Sequence, residues 1–205
     1  MPTSAPSIRK AVSHLRKADP VMAQMIAEVG PCRYQVKRSG THFDALCRSI
    51  IYQQLSTKAA GTIHGRFLDL FPQQQPSPDA LLALSEERLR GVGLSRQKLS
   101  YLRDLASKVH SNALPLGHLD SLRDQEIIDY LVPVKGIGVW TAQMFLMFRL
   151  GRLDVLPDLD LGIRNAIKKA YRVRGVPNAK RIARIGAPWR PYASVACWYL
   201  WRSLD

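Results

Sequence analysis

Acidic residues are scarce in this 205-residue chain: sixteen Asp and Glu stand against thirty Lys and Arg, a formal charge of +14. That imbalance exceeds what solubility requires and points to a polyanionic partner, nucleic acid ahead of an anionic membrane. Long apolar runs are missing as well. No stretch approaches the ~20 residues of a membrane-spanning helix, and the start MPTSAPSIRKAVSHLRK lacks the apolar centre of a signal peptide. No membrane association is expected, and the chain reads as a soluble intracellular protein. Cysteine is limited to Cys32, Cys47 and Cys197, an odd number without metal-ligand spacing, so neither a disulfide framework nor a zinc site is expected and all three read as buried thiols. The five histidines are dispersed, which leaves no candidate metal cluster.

Alternating strand patterns are also absent. Apolar residues recur instead at helical spacing, as at Phe43, Leu46, Ile50 and Ile51, at Leu99, Leu102, Ala106 and Val109, and at Tyr192, Val195, Ala196 and Tyr199. Ser77-Pro-Asp, Ser85-Glu-Glu and Ser95-Arg-Gln each place a capping hydroxyl ahead of a periodic run. The expected fold class is all-α. Breaks are expected at Gly30-Pro31, 72–78, 112–117, 151–157 and Gly186-Ala-Pro188. Charge is uneven along the chain: residues 149–205 hold twelve Lys and Arg against four Asp. A solvated surface is the ordinary account of such a run, but contact with phosphates suits the one-sided charge better.

One segment is more particular. Residues 124–131 carry Ile127, Ile128 and Leu131 on one helical face, Pro133 ends that helix, and Val139 opens a second one expected to run to Leu150. Between them Lys135-Gly136-Ile137-Gly138 makes a tight turn whose glycines allow positive φ and leave bare backbone at the positive end of the second helix. Such a turn suits an anion, although any helix–turn–helix junction accepts glycine.

The wider string, apolar-Pro133-x-Lys135-Gly-Ile-Gly-x-Trp140-Thr141-Ala, resembles the helix–hairpin–helix of a DNA glycosylase superfamily. Leu153-Asp-Val-Leu-Pro157-Asp158-Leu-Asp160-Leu-Gly-Ile-Arg164 resembles the Pro-and-Asp loop that follows it in that superfamily. The segments Ile51-Tyr-Gln-Gln-Leu-Ser-Thr-Lys-Ala-Ala60, Gly91-Val-Gly-Leu-Ser-Arg-Gln-Lys98 and Pro188-Trp-Arg-Pro-Tyr-Ala-Ser-Val-Ala-Cys-Trp198-Tyr-Leu-Trp201 are similar to its alkyl-base branch, the 3-methyladenine DNA glycosylase II type. The resemblance runs from about His42 to the C-terminus. It implies two helical lobes, one of residues 1–41 plus 157–205 and one of 42–156 with the helix–hairpin–helix at 124–150, with DNA crossing the cleft between them.

Chemistry follows from the resemblance. Breaking an N-glycosidic bond leaves positive charge on the deoxyribose, which a fixed carboxylate stabilises while it activates water. Asp160 matches the family's catalytic aspartate. One extra residue after Pro157 relative to the commonest spacing keeps Asp158 as the alternative, and for either residue a plain helix N-cap is the bland reading. Trp140 stands where strand-nicking relatives have a Schiff-base lysine, which implies simple hydrolysis and an uncut abasic strand. Its ring, with Trp198 and Tyr199, is implied to stack on a cationic base, and Met144 stands in place of a family tyrosine. Core packing is the alternative for each aromatic. Gln53, Gln54, Leu55 and Ser56 match the loop that fills the gap left by a flipped nucleotide. Lys135, Gly136, Ile137, Gly138 and Thr141 are implied to hold phosphate.

The expected activity is therefore excision of alkylated purines such as 3-methyladenine and 7-methylguanine from damaged double-stranded DNA, by a monomer. No catalytic metal or required cofactor is expected; the resemblance implies a structural monovalent cation on the hairpin carbonyls. The iron–sulfur loop of some relatives and the mixed N-terminal domain of the longer bacterial ones have no counterpart in the sequence. Location is expected to be the cytoplasm, with the nucleoid, in a bacterium, or the nucleus in a eukaryote. Two rival readings are a non-catalytic helix–hairpin–helix DNA-binding module, which needs neither Asp160 nor an aromatic pocket, and a glycosylase for deaminated or oxidised bases, which needs a more polar pocket.

Overall fold

A computed structural model describes residues 5–205; the first four residues of the expected N-terminal lobe, and of the start read as lacking a signal peptide, lie outside the described residues. No strand occurs among the described residues. In chain order the α-helices are α1 (Ala5–Ala18), α2 (Pro20–Val29), α3 (His42–Tyr52), α4 (Thr57–Leu68), α5 (Pro78–Ala83), α6 (Glu86–Gly91), α7 (Arg96–His110), α8 (Asp124–Leu131), α9 (Val139–Phe145), α10 (Leu161–Ala170), α11 (Ala179–Gly186) and α12 (Ala193–Arg202). Local chemistry starts several of them. The hydroxyls of Ser77, Ser85 and Ser95 accept from the N–H groups of Ala80, Arg88 and Lys98 at 3.2–3.3 Å, so each supplied cap satisfies a donor the first turn leaves open.

The chain divides into two compact units, Met1–Lys37 with Leu146–Asp205, and Arg38–Phe145. In the first, α2, α10 and α12 pack together with α1, burying Leu15, Met22, Ile26, Ile163, Ile167, Ala196 and Leu200. In the second, α3 packs on α4 and α7, α5 on α7, and α8 on α9, around Leu46, Ile50, Leu81, Leu102, Ile127 and Leu131. Each fully buried Leu or Ile of these clusters contributes about 1.5–3 kcal/mol of apolar transfer free energy.

The structure differs from the sequence expectation in three places. The units change over at 37/38 and 145/146, not at 41/42 and 156/157, because the segment after Phe145 joins the first unit. Tyr34 Oη donates to Met147 O at 2.5 Å, Lys37 N to Phe148 O at 2.8 Å, and Ser194 Oγ to Arg152 O at 2.8 Å. The second helix of the hairpin is α-helical only to Phe145 and continues as a π-helical turn over Leu146–Leu150, so the changeover falls on a helix irregularity. Finally, Cys47 and Cys197 are buried but Cys32 is half-exposed. Burial raises the pKa of all three thiols, which keeps them protonated at neutral pH.

Candidate active site

In the first unit the loop before α10 is wound tightly: Asp158 N donates to Leu156 O and Asp160 N to Pro157 O, both at 3.0 Å. This sets Asp160 in extended backbone (φ −67°, ψ 123°) as the N-cap of α10. Its Oδ1 accepts from Ile163 N at 2.8 Å and from the indole Nε1 of Trp201 at 3.0 Å, and the residue is only 9% exposed. Two donors on one oxygen fix the carboxylate's plane. Gly162 lets the indole approach: a Cβ there would lie 3.0 Å from Trp201 Cδ1 and 3.1 Å from Asp160 Oδ1. Asp158 is half-buried and held through its backbone, its carbonyl accepting from Arg164 Nε at 2.7 Å.

The aromatic residues of α12 divide by helical phase. Trp201 reaches Asp160 and lies 6.0 Å from Phe148, ring centre to ring centre. Trp198 is half-buried and packs edge-on against Tyr199 at 5.0 Å. Tyr199 is fully buried, and its hydroxyl donates to Gly30 O at 3.1 Å. Burial pushes its pKa up to about 12. The expectation that Tyr199 lines a base pocket is corrected: its ring belongs to the core and offers no face to a ligand.

In the second unit the hairpin is braced from behind. Ile137 N donates to Val134 O at 3.0 Å, and Lys135 N donates to Asp104 Oδ2 at 2.9 Å. Asp104 also takes Lys108 Nζ at 2.7 and 2.8 Å. Burial alone would raise the Asp104 pKa, but the hydrogen bonds and charge of Lys108 and the Lys135 N–H outweigh it and hold the carboxyl below its usual range. Two of the turn's N–H groups are thus committed to the protein.

The two glycines of the turn serve different ends. Gly136 has φ +79°, and a Cβ on it would run into the Tyr101 ring, so what lies against that bare backbone is this tyrosine. Gly138 has nothing within 4 Å of a built Cβ and is exposed, and among the described residues its N–H donates to no protein group. The position of the turn left open is therefore Gly138, beside the start of α9. The Lys135 side chain is exposed, and Trp140 is 45% exposed with Met144 half-buried one turn on. The expected phosphate contacts at Ile137 and Thr141 are corrected. Ile137 is 3% exposed with its N–H spent in the turn, and Thr141 is 8% exposed on the covered face of α9.

The 53–56 loop is fastened to this hairpin. Gln53 Nε2 donates to Gly136 O at 2.7 Å, so Gln53 braces the turn while Gln54 and Leu55 are exposed. Gln54 has φ +56°, a strained value for a residue with a side chain, at the loop's tip. Ser56 caps α4, accepting from Ala59 N at 3.3 Å. From α7, Lys98 Nζ donates to Ile51 O at 2.6 Å and Gln53 O at 2.8 Å, closing the end of α3. Burial lowers the Lys98 pKa.

Exposed apolar side chains occur beside the candidate residues of each unit. Of the nine large hydrophobic side chains exposed among the described residues, Leu55, Tyr130, Val132, Val139 and Trp140 belong to the loop and hairpin region, and Leu159 and Leu161 flank Asp160.

Residues 47–191 match the family model described as "HhH-GPD superfamily base excision DNA repair protein". The chain belongs to the HhH-GPD superfamily. A Schizosaccharomyces pombe structure, titled as 3-methyladenine DNA glycosylase in complex with abasic DNA, aligns with 32% identity and a TM-score of 0.81, covering 95% of this chain and 96% of that one. A Bacillus halodurans structure, titled DNA-3-methyladenine glycosidase, aligns with 37% identity and a TM-score of 0.83 over 94% of this chain and 88% of that one. A Bacillus subtilis relative is 33% identical over 169 residues, which is 80% of this chain but 59% of that protein.

The HhH-GPD match spans the 53–56 loop, the hairpin and Asp160 and ends before α12. Trp201 was visible in the sequence only as the end of a similar segment. A usable signal was present, however: Tyr192, Val195, Ala196 and Tyr199 already define the core side of α12, and two residues on from Tyr199 a helix has turned by about 200°. Lys98 and Tyr101 gave no such signal, since a lysine and a tyrosine on an amphipathic helix read as surface until their partners are known. Among the described residues no group of three His, Cys, Asp or Glu is placed to hold a metal ion.

Proposed function

We propose that this chain is a monofunctional DNA glycosylase that flips alkylated purines out of duplex DNA and hydrolyses their N-glycosidic bonds. The observation that carries this reading is the Asp160 carboxylate, its Oδ1 held by Ile163 N and Trp201 Nε1 with exposed leucines on either side. Membership of a base excision repair superfamily and likeness to proteins named as 3-methyladenine glycosylases, one solved with abasic DNA, support it. Asp160 is preferred to Asp158 because its side chain, not merely its backbone, is oriented by the fold.

The chemistry asked of the protein is modest. A purine alkylated at N3 or N7 carries positive charge, so the C1′–N bond breaks with its electron pair going to the base, which leaves neutral. The ionised Asp160 stabilises the sugar cation and takes a proton as water oxygen bonds to C1′. Trp140 supplies an indole face for the cationic ring but no amine, so no Schiff base forms and the strand stays uncut. Leu55 and Gln54, exposed on a loop tied to the hairpin, fill the gap in the duplex, and Gly138 N–H with Lys135 holds a neighbouring phosphate.

The turn carbonyls suit a structural monovalent cation. Val134 O and Gly136 O each accept one hydrogen bond, from Ile137 N and Gln53 Nε2, and each keeps a second lone pair. These two residues would hold the ion, which adds positive charge near a phosphate; no step above depends on it. A monomer is the working form in this reading. The rival binding module would need Asp160 only as the cap of α10, not with exposed leucines on either side.

The test is incubation of duplex DNA containing 7-methylguanine or 3-methyladenine with the protein, followed by strand analysis before and after alkali. Base release with breaks only after alkali is expected. Absence of release overturns the alkylpurine reading, and breaks without alkali overturn the monofunctional one.

A further inference from the structure

The stretch of chain from the end of α10 to the turn after α11 is built as a closed excursion. Tyr171 Oη at its start and Trp189 Nε1 at its finish both donate to Asp19 Oδ2, at 2.6 and 2.9 Å. Their rings lie 6.2 Å apart, and Trp189 is fully buried. Inside the loop so pinned, Val173, Pro177, Ile182 and Gly186 are buried. Outside it, Arg172, Arg174, Lys180, Arg181 and Arg184 are all exposed.

These five cations have no counter-charge of their own. Residues 161–204 contain no Asp or Glu, and among the described residues none of the five takes part in an ion pair. Arg190 and Arg202 of the same acid-free stretch, by contrast, pair with Asp154 and Asp205. Like charges displayed on one small loop repel one another, and a polyanion relieves that repulsion.

We propose that residues 172–188 form a second phosphate-binding surface, which holds the backbone of duplex DNA flanking the lesion. Residues 172–188 contain no aromatic ring on which a base could stack. The aromatic borders Tyr171 and Trp189 are turned inward to Asp19, and the Asn178 side chain is spent capping α11, accepting from Arg181 N at 2.9 Å. Cations with no aromatic platform beside them supply charge for phosphates but lack the stacking surface typical of single-strand binders, which favours duplex over single strand. Asp160 caps one end of α10 and Tyr171 the other, so the surface begins about 15 Å from the carboxylate, a distance of roughly four base pairs. It belongs to the first unit and the hairpin to the second, and the proposal rests on the reading that DNA is the ligand.

The test measures binding without turnover. In the Asp160→Asn background, affinity for an undamaged duplex of about 30 base pairs is followed against NaCl, with and without Gln at positions 172, 174, 180, 181 and 184. The plot of log affinity against log salt should become shallower by about 4–5, near 0.9 for each phosphate that is no longer neutralised. An unchanged slope overturns the proposal, and an equal loss on a single-stranded oligonucleotide of the same length overturns the choice of duplex. The paired variants R172Q/R174Q and K180Q/R184Q, each expected to lower the slope by about 2, give the same reading if the fivefold variant fails to fold. A reduced slope in a protein whose parent releases no alkylated base would leave this surface standing and remove the proposed excision activity.

Discussion

Two aspartates in the same unit have nearly the same local chemistry and different surroundings. Asp19 and Asp160 each cap the helix that follows, and each accepts an indole N–H, from Trp189 and Trp201 respectively. Asp19 also takes Val21 N, Met22 N and Tyr171 Oη, and its indole partner is wholly buried. It knots α2 to the end of α10 and to the turn after α11. Asp160 is flanked by Leu159 and Leu161, 58% and 66% exposed, and its indole partner is only half-buried. A capping aspartate with a tryptophan donor is therefore no signature of catalysis. What separates the two is whether the surrounding surface is spent on the fold or left open to a ligand.

The comparison can be broken deliberately. Asp160→Asn should keep the cap, since Asn serves as well as Asp there, and lose the negative charge. Excision should fall by about 10²–10⁴-fold, as for other positioned acid–base groups, with little change in melting temperature. Asp19→Ala should do the reverse. It leaves Trp189 Nε1 and Tyr171 Oη without their buried acceptor, at a cost of about 2–4 kcal/mol, read as a fall in melting temperature with little loss of rate per folded molecule.

Smaller changes sharpen the contrast. Trp201→Phe keeps a ring but removes the donor to Asp160 Oδ1, so excision should drop by about tenfold, the rate equivalent of one ordinary hydrogen bond. Tyr171→Phe, removing one of Asp19's donors, should cost about 1 kcal/mol of stability in a denaturant titration. The smallest effect concerns acid. The Asp104 pKa is depressed, so its contribution to stability is present above the unfolded value and is lost as pH falls through the lower folded value. Melting scans from neutral pH into the acid range should decline less steeply for Asp104→Asn than for the parent.

Much of this was legible in the sequence because it is local. The capping serines, the end of α8 before Pro133 and the Asp160 cap each depend on residues three or four apart, and all are where spacing put them. What could not be read depends on distant segments. Gly136 seemed bare backbone for a ligand, yet Tyr101 of α7 occupies that side and leaves Gly138 as the open position. Gln53 seemed a probe of DNA, yet its amide is committed to Gly136 O, 83 residues away along the chain. Asp19 could be read only as a cap before Pro20, with no signal of its partners Tyr171 and Trp189, which lie 152 and 170 residues on. Tyr199 is the opposite case, since its own periodic neighbours already marked it as core.

The most direct test of the central claim sets the three aspartate variants side by side. Single-turnover release of 7-methylguanine and thermal melting are measured in one buffer for the parent, Asp160→Asn, Asp158→Asn and Asp19→Asn. The account predicts that only Asp160→Asn abolishes release while melting with the parent, and that Asp19→Asn melts lower while its folded fraction keeps releasing base. Undiminished release by Asp160→Asn, with loss in Asp158→Asn, would contradict it.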